Sequence, residues 1–159
     1  MTAAPQYSVP SDDSLPLHDL GASQAELEKA VKAVHTGLAG QGARRGRIWA
    51  LGVLDSVGSL TGAFERHAAM SESALENLLE IAPQLGHVAV QLEDEHEKII
   101  ITLEECLCRL RREPSAPETE WVNELRVQLI EALHALANHR EREECFVYDT
   151  FESETGGGD

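Results

Sequence analysis

The sequence predicts an all-α protein, an antiparallel up-and-down four-helix bundle, on three observations. Apolar residues make up 42% of the chain but aromatic ones only 4%, and Ala, Leu and Glu are abundant while β-branched runs are few, which favours helix over sheet. Four segments repeat apolar residues at alternating spacings of three and four, the period of one helix face. The connections between them are short and carry Gly or Pro, so successive helices become antiparallel neighbours. At 159 residues the chain is one domain's worth, long enough to bury a core.

Residues 1–22, "MTAAPQYSVPSDDSLPLHDLGA", mix Pro, Ser and Asp without a period and read as a loose leader. Ser23 with Glu26 three residues later forms a capping box, so the first helix is expected to start there, followed by Leu27, Val31, Val34 and Leu38. "GQGARRGR", 40–47, is the first turn. The second helix carries Val53, Val57, Leu60, Phe64 and His67 on one face and continues through Leu75 and Leu78. Gly58 and Gly62 weaken it by about 1 kcal/mol each relative to Ala, and Pro83 marks its boundary. The third helix has the cleanest seam: Leu85, Val88, Leu92, His96, Ile99, Leu103, Cys106 and Leu110. "REPSAPETE", 112–120, ends it with two prolines. The fourth shows Leu125, Leu129, Ala132, Leu136, His139, Glu143 and Phe146. The bundle is thus expected over 23–150 and an acidic, glycine-rich, loose tail over 151–159. No internal repeat stands out.

With 13 basic residues against 28 acidic ones, a formal charge of −15 repels nucleic acid and anionic membrane surfaces and leaves cationic ligands compatible. No basic stretch leads into an apolar one at the start, and no apolar run approaches the roughly 20 residues a membrane span needs. The cytoplasm is the expected compartment. The three cysteines cannot all pair, and Cys106 and Cys108 fall on roughly opposite sides of a helix, which suits free thiols in a reducing environment.

Three polar residues interrupt three apolar seams: His67, His96 and His139. At about 1.5 Å per residue, the distances of His67 and His96 from Pro83 differ by roughly 5 Å, and so do those of His96 and His139 from Ala116. All three imidazoles are therefore expected in one layer. Glu143 follows His139 by four residues and points into the same core. Burying three imidazoles with a carboxylate is costly unless something pairs them, and a bound metal suits that set of donors. On the second helix the residue four beyond His67 is Ser71, a poor ligand, and Glu72 lies about 100° further round, able to reach in only from the edge. His35 sits roughly 24 Å from the level of His67 by the same count. His18 is nearer that level if the leader folds back over the open end of the bundle. His87 and His134 fall off their seams and read as surface residues.

These segments resemble the hemerythrin-like (HHE) domains, four-helix bundles that hold non-haem di-iron between histidines and carboxylates. "FERHAAMSE" occupies the place of that family's histidine and acid on the second helix. "QLEDEHEKI" is similar to its Leu-x-x-Glu-His segment on the third, and "LANHREREE" to its closing His-x-x-x-Glu. The resemblance spans about residues 23–150. It implies His67, His96, His139 and Glu143 as iron ligands, with Glu72 as a displaced substitute for the acid expected at Ser71. The first helix offers no well-placed histidine, and Ile100 stands where some members put a second histidine on the third, so one or two metals both stay open. The tail "FVYDTFESETGGGD" resembles the endings of a bacterial subgroup of such domains.

An iron site of this kind with an open position binds O2, NO or peroxide, because ferrous iron donates electron density into such ligands. The sequence shows no phosphate-binding glycine loop and no nucleophile–base pair, so binding or sensing is expected rather than organic catalysis. The competing expectation is a metal-free helical module that binds a protein partner through its acidic faces.

Overall fold

Four α-helices, α1 (Leu15–Ala39), α2 (Gly46–Ile81), α3 (Gly86–Arg111) and α4 (Glu118–Thr155), are seen in a computed structural model that describes residues 15–40, 46–112 and 117–155. One turn of 3-10 helix, Pro83–Leu85, joins α2 to α3. Pro83 has no N–H to continue α2, and the chain tightens into that turn through Leu85 N–H to the Ala82 carbonyl at 3.0 Å. α4 opens with Glu118 and Glu120, acids that suit the positive end of the helix dipole. Glu118 also accepts from the backbone N–H of Arg47 at 2.9 Å, so α2 and α4 start at the same end of the bundle. A Cβ at Gly46 would collide with the Glu118 side chain, and glycine is what admits that contact.

α1 packs against α2, α2 against α3 and α3 against α4, with a lesser α2–α4 diagonal, as in the predicted bundle. Its ends differ from expectation. α1 begins at Leu15, so the last part of the predicted leader is helical and Ser23 is an interior, buried residue rather than a cap. Pro16 does not oppose this, since a first-turn proline gives up only an N–H that has no helical partner. α4 runs on to Thr155, beyond the point where the tail was expected to loosen. The rest of the leader and of the tail lies outside the described residues. No described helix is long and apolar enough to cross a membrane.

The apolar core is divided in two. The larger cluster includes Leu27, Val34, Phe64, Ile99, Leu103 and Leu136, and the smaller holds Leu75, Leu78, Ala89, Leu92 and Phe146. Each large side chain among them contributes about 1.5–3 kcal/mol by leaving water. Between the clusters, on three helices at once, the seam turns polar: His67 and Ser71 on α2, His96 on α3, His139 and Glu143 on α4, all buried. The cysteines are free thiols, Cys106 buried and Cys108 and Cys145 exposed.

Candidate metal centre

His67 and His139 lie the same number of residues beyond the first residues of α2 and α4, which start side by side, so equal rise brings them to one level. His96 on antiparallel α3 meets them there. The ring centroids of His96 and His139 are 4.6 Å apart, and those of His67 and His96 are 6.4 Å apart. Phe64, one turn before His67, lies against all three, with centroid separations of 6.1, 5.9 and 5.9 Å to His67, His96 and His139. The expected single layer of imidazoles is present.

Each ring has one nitrogen held from outside. Nδ1 of His139 donates to Glu95 Oε2 at 2.9 Å, and Arg142 binds the other oxygen of the same carboxylate at 2.8 Å. Nδ1 of His96 lies 3.4 Å from Glu72 Oε1, and Nδ1 of His67 lies 3.1 Å from the Ser23 hydroxyl of α1. The Nε2 atoms are the inner ones. That of His67 donates to Glu143 Oε2 at 2.9 Å, while Glu143 Oε1 accepts from the Ser71 hydroxyl. Those of His96 and His139 are buried and have no hydrogen-bond partner among the described residues. His67, His139 and Glu143 each offer a ligand atom, all within 4.8 Å of one another. His96 stands outside that triple, against His139.

The electrostatics follow from this enclosure. Burial pushes the His96 pKa below the ordinary histidine value and His139 adds to the effect, outweighing the pull of Glu143 and Glu72. For Glu143 burial acts upward, but the hydrogen bond and charge of His67, the Ser71 hydroxyl and His139 together hold its pKa below the usual carboxylate value. The site thus keeps a carboxylate beside imidazole that resists protonation, the state in which both are metal donors.

Of the residues singled out from the sequence, His67, His139 and Glu143 bring ligand atoms together, and His96 packs against His139 in the same layer but outside that triple. Glu72 does not join them: its side chain is 49% exposed and touches His96 on the outer nitrogen. Its place one step past Ser71 turns it to the bundle edge. His18 falls in the first turn of α1, with its side chain outside the described residues; His35, His87 and His134 are exposed. Sequence reasoning missed Glu95 and Ser23, and it gave Ser71 no role. Glu95 stood in the quoted Leu-x-x-Glu-His segment immediately before His96, but off the apolar seam, and was given no role of its own. Ser23 carried the pattern of a helix cap.

A family model, the hemerythrin HHE cation binding domain, matches residues 16–157. The chain belongs to the hemerythrin HHE family, and its buried layer contains a candidate His/His/Glu metal site. No curated protein and no solved structure matches it. The residues present fit a resident cation: imidazole and carboxylate suit a borderline divalent metal, and two buried imidazole nitrogens have no hydrogen-bond partner among the described residues.

Proposed function

We propose that the chain holds a single non-haem iron ion on His67, His96, His139 and Glu143 and uses it to bind or sense O2, NO or peroxide. The observation that supports this best is the pair of partnerless Nε2 atoms on His96 and His139, beside a carboxylate kept ionised. Four inward donor groups suit one ion with a coordination position to spare and are few for two. Iron in such a site supplies electron density to O2, NO or peroxide. The chain's own residues do the rest. Glu95 fixes the His139 tautomer, Glu72 lies behind His96 and acts through it, and Ser23 braces His67. Phe64 and the two apolar clusters keep bulk water from the layer.

Two other readings fit less well. A metal-free interaction module leaves two buried nitrogens unpaired, at about 1–3 kcal/mol each. Ser23, His67 and Glu143 form a chain of contacts like that of an activated nucleophile, but Ser23 is 6% exposed inside the bundle, beyond reach of an acyl substrate. The test is metal analysis of tag-free protein purified without chelators, with anaerobic ferrous titration of the metal-free form. One equivalent per chain, lost in His139→Leu, is expected. Uptake of none overturns the metal reading, and uptake of two overturns the single ion.

A further inference from the structure

α1 and α4 are tied along their exposed edges, by Arg140 to Glu28 at 2.6 Å and by Arg126 to the Gly40 carbonyl at 2.6 Å. Toward the start of α1 and the end of α4 a groove of about 250 Å³ lies between them, lined by Leu20, Gly21, Gln24, Glu143, Glu144 and Val147. Two properties set it apart. Its lining includes Glu143, only 2% exposed, whose ligand atom lies within 4.8 Å of those of His67 and His139. Two other grooves, between α1 and α2 around Gly62 and between α3 and α4 around Val127, touch none of His67, His96, His139 and Glu143. The second property is Gly21. A Cβ built there meets nothing within 4 Å among the described residues, so their packing does not require glycine, although it costs the helix about 1 kcal/mol relative to Ala. As a lining residue, Gly21 leaves volume in the groove that a bulky side chain at that point would fill.

We propose that this groove is the passage by which a divalent cation reaches the bundle centre, drawn in by Glu144 on the exposed rim and received by Glu143 at the buried end. The inference rests on the metal-binding reading above. Charge agrees with it: two carboxylates of one sign line a narrow opening in a chain of net charge −15, which concentrates cations and turns anions away. Leu20 and Val147 wall the passage with apolar surface and Gly21 gives it width.

The test is stopped-flow uptake of Co²⁺ alone by the metal-free full chain, followed by its visible absorption, with release timed separately by an excess of chelator. Gly21→Phe fills the groove and Glu144→Lys reverses the charge of its rim. Gly52→Phe is the control, since a Cβ at Gly52 also meets nothing within 4 Å but Gly52 is no part of the groove. Gly21→Phe is expected to slow uptake and release alike by about tenfold with unchanged stoichiometry, and Glu144→Lys to slow uptake by about tenfold at low salt and flatten its salt dependence. Gly52→Phe is expected to match wild type. Wild-type uptake rates in both groove variants overturn the passage while leaving the metal centre standing. A wild-type chain that takes up no cobalt overturns the metal centre, and the passage with it. Should Gly21→Phe fail to fold, the exposed Glu144→Lys still decides.

Discussion

Glu143→Leu and His139→Leu separate the metal-binding role of these residues from their part in folding. Both remove an inward donor, so both abolish stoichiometric metal binding in the proposed site. Their effects on the metal-free fold differ. Glu143 accepts from His67 Nε2 and from the Ser71 hydroxyl, and the leucine strands both buried donors. Each stranded group costs about 1–3 kcal/mol, partly recovered because Ser71 can turn to a carbonyl of its own helix, so a loss of about 2–3 kcal/mol is expected. For a chain of this size that is roughly 5–10 °C of melting temperature. His139→Leu removes an imidazole whose Nε2 has no partner, and the Glu95 it leaves keeps Arg142 and some solvent. Its cost is expected to stay below about 1 kcal/mol, because a poorly satisfied polar group gives way to an apolar one. Urea denaturation of chelator-treated wild type and the two variants reads the difference directly. Equal destabilisation by both would refute the reasoning, since it would mean that His139 has a structural partner that Glu143 does not exceed.

The same site sets a pH dependence in the metal-free protein. His96 titrates lower in the fold than in the open chain, so protons favour the unfolded state as pH falls through about 6.5, and His96→Leu should gain on wild type in melting temperature between pH 7 and 5.5. Glu143, also lowered, adds stability above the ordinary carboxylate range that is lost as pH falls further toward its folded value; a Glu143→Leu deficit that fails to shrink on acidification contradicts this. Burial pushes the Cys106 thiol up to about 11, so a thiol reagent at neutral pH should label Cys108 and Cys145 promptly and Cys106 only on unfolding; three prompt labels would be the contrary result. Glu95→Gln and Glu72→Ala, which alter an outer nitrogen's partner and leave every inward donor in place, should each weaken Co²⁺ affinity by roughly 10–100-fold without changing stoichiometry, as equilibrium titration would report, whereas complete loss of binding in Glu72→Ala would return it to the ligand set.

The sequence by itself determined four helices, the face each turns inward and the level at which three histidines meet. Rise and rotation per residue are local properties of the helix, so Leu136, His139, Glu143 and Phe146 declare a buried stripe without reference to any neighbour. Counting from Pro83 sufficed to place His67 and His96 together for the same reason. Helix ends were less legible, because Pro16 and Gly21 carry loop signals that a first turn and an open helix face both tolerate. Only the tertiary structure decided which nitrogen of each ring faces inward, because that depends on partners from other helices: Ser23 for His67, Glu72 for His96 and Glu95 for His139. It also decided that Ser71 serves Glu143 while Glu72 stays at the edge, and that a groove between α1 and α4 opens beside Gly21 and Glu143. How far one helix is turned against the next is set by side chains distant in sequence packing across the interface, and no period within a single helix contains that angle.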